Sequence, residues 1–149
     1  MSDILDRVQR EMVSAMKAKQ VDRLSALRMM KTSLTNRLSE NRETFDDAEA
    51  IKALHTLAKQ RRESANEFRK AGREDRAAKE EAELAVIEEF LPAAASEADI
   101  DAAVTAAIAE TGATSAKDIG KVMQAALKKL AGKTVDGKAV NARVRTSLQ

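Results

Sequence analysis

The sequence predicts an all-α protein: an N-terminal helical domain of about four helices over residues 1–92 and a small C-terminal three-helix domain over residues 93–149. Three observations point there. The chain is 44% hydrophobic and 34% charged yet only 2% aromatic, a balance supplied largely by Ala, Leu, Lys, Arg and Glu, which lose least on entering a helix. Apolar residues recur at helical spacing along most of the chain. Five glycines and one proline leave few breaks, and that proline, Pro92, separates two complete sets of apolar stripes. With 149 residues a true core is possible, since a domain of this size buries roughly 68–70% of its unfolded surface.

Ser2 and Asp3 offer N-caps to a first helix whose apolar residues Ile4, Val8, Met12 and Met16 recur every fourth position, with its end near Lys19. A second helix from Asp22 aligns Leu24, Leu27, Met30, Leu34 and Leu38, and the methionines on both faces read as gap-filling core. Asn41 to Asp47 loses the stripe, and Asp46-Asp47 caps a third helix with Ile51, Leu54, Ala58, Ala65 and Phe68 in one seam. Arg61 falls in that seam. It either lays its methylenes over the apolar surface and pairs with a glutamate of the next helix, or belongs to a binding surface. Gly72 suits the left-handed residue just past a helix end, and Asp75 is the candidate cap of a fourth helix, so the third and fourth helices form an antiparallel hairpin. Ala77, Leu84, Ile87 and Leu91 face the third helix, while Asp75 and Lys79 have ion-pair spacing.

Beyond Pro92, Ser96-Glu97-Ala98-Asp99 is a capping-box variant that opens a helix to Glu110, with Ile100, Val104 and Ile108 in line. A helix from Ala116 to Ala131, capped by Ser115 and closed by Gly132, buries Ile119, Val122, Met123, Ala126, Leu127 and Leu130. The last helix, Gly137 to Leu148, aligns Val140, Val144 and Leu148.

Net charge is only +2, but it is unevenly spread. Residues 80–114 hold nine carboxylates and no Lys or Arg, whereas residues 115–149 hold eight Lys/Arg against two carboxylates. Lys117, Lys121 and Lys128 share one face of the middle C-terminal helix, and Lys129, Lys133, Lys138 and Arg145 carry the charge into the last helix. These seven residues are the candidate nucleic-acid-binding set, against the plain alternative of a solvated face.

Other chemistries lack their residues. Without cysteine there is no disulfide, no thiolate nucleophile and no Cys-based zinc site. The single histidine, His55, has no second histidine for a metal pair or a triad, and reads as a partly exposed structural residue. Glu80, Glu81, Glu83, Glu88 and Glu89 lie in one exposed-looking helix, whereas a catalytic carboxyl needs burial or a close partner. Gly120-Lys121-Val122-Met123 lacks the glycine pattern of a phosphate loop. Trp and Tyr are absent, and Phe68 and Phe90 sit on core stripes, so an RNA would be held by shape and phosphate rather than by base stacking. No catalytic residue, cofactor or metal is expected. The N-terminus has no basic end followed by an apolar run, and no stretch approaches the roughly 20 apolar residues of a membrane span, so the expectation is a cytoplasmic protein with no membrane partner.

The run from Gln60 to Pro92 and the run from Gly112 to Val144, together with Leu24 to Leu34, resemble the YqeY family of small bacterial proteins. The specific signal is the order Ala71-Gly72-Arg73, Lys79-Glu80, Leu91-Pro92, Gly120-Lys121-Val122-Met123 and Asp136-Gly137-Lys138. Ala93-Ala94-Ala95 departs from the more polar, basic linker common in that family. The family is related to the C-terminal region of the B subunit of the glutamine-dependent amidotransferase that acts on misacylated tRNA. There the corresponding module serves tRNA recognition, and the catalytic chemistry lies in separate domains. The resemblance therefore implies a non-catalytic accessory module with tRNA, and amidotransferase or aminoacyl-tRNA synthetase components, as partners. A helical protein–protein adaptor is the alternative. Carbon–nitrogen ligase activity with glutamine as amido donor is weaker, because it would be a label inherited by homology alone.

Overall fold

The structure, a computed structural model, describes residues 2–149. Among them are seven α-helices and no strand: α1 (Asp3–Lys17), α2 (Val21–Glu40), α3 (Asp47–Lys70), α4 (Glu74–Glu88), α5 (Glu97–Thr111), α6 (Ile119–Lys129) and α7 (Gly137–Ser147), with a single 3-10 turn at Ala116–Asp118 leading into α6. The chain divides into two compact units between Leu91 and Pro92.

In the first unit every helix contributes to one core. Val8, Leu27, Met30, Leu34, Leu54 and Ile87 are fully buried. The stripe of α1 differs from its sequence pattern: Leu5, Val8 and Ala15 are buried, while Met16 is 56% exposed. A strict four-residue spacing drifts about 40° per step on an α-helix, so three steps from Ile4 turn Met16 out of the seam. Ser2 caps α1 by accepting from the Leu5 N–H, and its hydroxyl donates to Asp47 Oδ1 at 2.7 Å. The same carboxylate oxygen accepts from the Ile4 N–H at 3.1 Å, so the first turn of α3 satisfies the start of α1. Asp46 caps α3, and the buried Phe45 before it belongs to the same core as Ala50, the arrangement of a hydrophobic staple. The sequence pattern places only Phe68 and Phe90 on core stripes; in the structure Phe45 and Phe90 are buried and Phe68 is half-buried.

The turns after α1 and α3 have the same hydrogen bonding. Lys19 and Gln20 donate to Met16 and Ala15, as Gly72 and Arg73 donate to Arg69 and Phe68, and the turn residue is left-handed in both, at φ 56° for Lys19 and 75° for Gly72. Glycine adopts this conformation freely and lysine does not. Lys19→Gly is therefore expected to raise stability by about 0.5–1 kcal/mol, the relief of strain exceeding the added entropy of the unfolded chain. Urea unfolding checks this, and an unchanged or lower midpoint would count against it.

α3 and α4 form the antiparallel hairpin, zipped by arginines of one helix against glutamates of the other. Arg61 meets Glu80 at 3.1 Å and Glu83 at 3.6 Å, the structural pairing considered for it from sequence. Asp75, by contrast, is not the cap of α4. Arg73 occupies that position without a side-chain cap bond, and the Asp75 carboxylate faces the Arg73 guanidinium rather than Lys79. The tight turn at Gly72 starts the helix one residue after Arg73, which moves Asp75 into the first turn, where a carboxylate complements the helix dipole.

The second unit packs α5, α6 and α7 around Val104, Ala107, Val122, Ala126, Val140 and Val144, all buried. Ser96 and Asp99 make the expected reciprocal capping box on α5. The middle helix is shorter than its pattern: residues 116–118 are 3-10, the Ser115 side chain makes no cap bond, and α6 ends at Lys129. Leu127 is 41% exposed rather than buried; it follows Ala126 by one residue and so turns about 100° from the centre of the buried face. Pro92 sits with this unit, because its carbonyl accepts from Thr134 Oγ1 at 2.5 Å while Thr134 also exchanges backbone bonds with Ala93 and Ala95. No helix among the described residues is long and apolar enough to cross a membrane.

Candidate nucleic-acid interface

The basic residues of the second unit fall into two groups that the sequence does not distinguish. Lys117, Lys121, Lys128 and Lys138 are exposed, and none has a carboxylate within ion-pair distance among the described residues. Lys121 and Lys128 stand two turns apart on α6, whereas Lys117 belongs to the 3-10 turn, so the helical spacing that joins all three in the sequence holds only inside α6. Lys138 is the second residue of α7.

The other cations are engaged. Lys129 Nζ lies 2.6 Å from Glu110 and Lys133 Nζ 2.7 Å from Asp99. Arg143 pairs with Asp101, and Arg145 Nε donates to Asn141 Oδ1 at 2.7 Å. All three carboxylates are on α5, the acidic helix. Lys133, followed by the backbone and hydroxyl of Ser96, holds the Asp99 carboxyl down to about 2, and Lys129 likewise lowers that of Glu110. Both are anions at any physiological pH. Between α5 and the end of α6 lies an open concavity of about 320 Å³, with Asp99, Ala103, Lys129, Leu130 and Lys133 among its lining residues.

The first unit holds two carboxylates that are largely covered. Glu80 and Glu83 are only 17% and 14% exposed, not on an open face as their sequence suggests. Burial, then the neighbouring Glu80, raises the Glu83 carboxyl, while Arg61 opposes the shift. Their partner is an arginine nineteen or more positions away in the chain, so only the packing of α3 on α4 makes them visible. The cluster is a structural ion pair, and no cluster of three or more His, Cys, Asp or Glu suited to a metal occurs among the described residues.

His55 is half-buried on α3. Burial first, and the charge of Arg62 second, lower its pKa below the ordinary value of 6.5. The folded protein thus favours neutral imidazole. The stability tied to this is complete above about pH 6.5 and is lost as pH falls through the lowered value, because the unfolded chain takes up the proton first. His55→Gln is expected to flatten the fall in melting temperature between pH 7 and pH 5, which thermal melts across that range would detect.

Seven helices in two units, the second with exposed lysines that make no ion pair among the described residues, define a class: a two-unit helical protein with a cationic patch on its second unit. Within that class the chain belongs to the YqeY family, the Yqey-like proteins, which it matches over residues 5–148. It is 28% identical over 147 residues to a protein of Pyrenophora tritici-repentis called altered inheritance of mitochondria protein 41, mitochondrial, a match covering 95% of this chain and 79% of that protein. It is also 28% identical over 89 residues to an uncharacterized protein of Schizosaccharomyces pombe, covering 60% of this chain and 72% of the other.

Proposed function

We propose that this protein is a non-catalytic accessory module that binds tRNA through phosphate contacts of its C-terminal unit, in the cytoplasm, alongside amidotransferase or aminoacyl-tRNA synthetase components. The observation that carries the reading is the set of exposed lysines without an ion pair among the described residues, Lys117, Lys121, Lys128 and Lys138, in a unit where Asp99, Asp101 and Glu110 of α5 are each held by another cation. Such a surface attracts a polyanion at long range and places ammonium groups without demanding a base sequence. With Phe45 and Phe90 buried, recognition by stacking has little to draw on. Glutamine-dependent ligation would need a nucleophile, which on this reading comes from partner subunits.

The test is binding of unfractionated tRNA over a salt series. The expected result is a linear fall of log affinity with log salt, with a slope of about three to four for four phosphate contacts. Binding no stronger than that of an acidic control protein of the same size would sink the reading. A helical adaptor would then take its place, favoured by the exposed Val13, Met16 and Val21 around the turn between α1 and α2.

A further inference from the structure

The exposed lysines leave the engaged ones without a role, and the geometry around α5 supplies one. Lys129 and Lys133 line the same concavity, and they hold carboxylates of α5 at 2.6 and 2.7 Å. A carboxylate at that distance from an ammonium occupies the position a phosphate oxygen would take. Neither pair is sealed: the side chains of Lys129 and Lys133 are 34% and 46% exposed, and those of Glu110 and Asp99 62% and 36%. Pairs this open contribute little to stability and exchange readily.

We propose that α5 is an internal competitor for phosphate: Glu110 and Asp99 hold Lys129 and Lys133 in reserve, and a polyanion docked on the free lysines recruits these two only by displacing the carboxylates. This deepens the tRNA reading and rests on it. The consequence is a threshold. Isolated phosphates and short anions compete poorly against a tethered carboxylate, whose effective concentration is high, whereas an RNA already held by Lys121 and Lys128 brings its next phosphates to the concavity as a tethered ligand too. The surface thereby discriminates in favour of extended polyanions without any base contact. Asp99 is the more firmly held of the two carboxylates, because it also accepts from the Ser96 N–H at 3.0 Å as part of the cap of α5. Glu110, in the last turn of α5 with Lys129 as its hydrogen-bonded cation, is the one that yields.

The experiment compares Glu110→Gln with Glu97→Gln. Both remove one negative charge from α5, but no ion pair of Glu97 occurs among the described residues. With unfractionated tRNA, Glu110→Gln is expected to bind about two- to five-fold tighter, the range of an exposed ion pair, and to steepen the salt slope by about one. Glu97→Gln should leave the slope unchanged. Lys129→Gln should cost more in the Glu110→Gln background than in the parent, since only there is its ammonium free. Melting curves verify that each variant is folded. If parent and variants bind but Glu110→Gln matches Glu97→Gln, or Lys129→Gln costs the same in both backgrounds, the competitor idea fails and the tRNA reading stands. If none of them binds tRNA, both fail.

Discussion

Changing Lys117, Lys121, Lys128 and Lys138 together to glutamine is expected to lower the salt slope of tRNA binding by about three to four, because each neutralised phosphate releases a little less than one counterion. Between 50 and 200 mM salt a slope of that size corresponds to roughly a hundred-fold in affinity, so the parent's steep loss should become nearly flat in the variant. The fold should not suffer. These side chains are exposed and make no ion pair among the described residues, and substitutions of that kind usually stay within about 0.5 kcal/mol. The companion set Lys129, Lys133 and Arg145 should cost less when changed, since each is already partnered. The measurement is fluorescence anisotropy at five or so salt concentrations, and equal losses from the two sets would remove the distinction between free and engaged cations.

Val144→Asp should unfold the C-terminal unit. Val144 is fully buried against a core drawn from only three short helices. A unit of about 58 residues has a stability of only a few kcal/mol. Deleting the valine side chain forfeits about 1.5–3 kcal/mol of burial, and an unpaired carboxylate in its place costs several more or takes up a proton. The sum exceeds what the unit has. Amide resonances of residues 93–149 should collapse to random-coil positions and tRNA binding should vanish with them. Retained dispersion in α5 to α7 would mean that their shared core is not what holds them.

Local order was largely legible in the sequence. The seam of α2, the N-caps at Ser2, Asp46 and Ser96, the left-handed Gly72 and the end of α4 ahead of Pro92 all depend on residues within a turn or two of each other, and short-range chemistry decides them. The misses share a cause. Met16 and Leu127 rest on spacing, which is ambiguous at the edge of a stripe, and Asp75 rests on cap chemistry, which does not fix the starting residue of a helix after a tight turn; in each a shift of a residue or two changes what the side chain meets.

The candidate site divides along the same line. The sequence by itself determined that the last third of the chain is rich in lysine, that α5 is acidic, and that both are helical. Which lysines are free to meet a phosphate was decided only by the tertiary structure. Glu110 meets Lys129, and Asp99 meets Lys133, because α5 packs its alanine and valine face on α6. The hydrophobic core sets that register, and the long charged side chains pair wherever the core has brought their backbones.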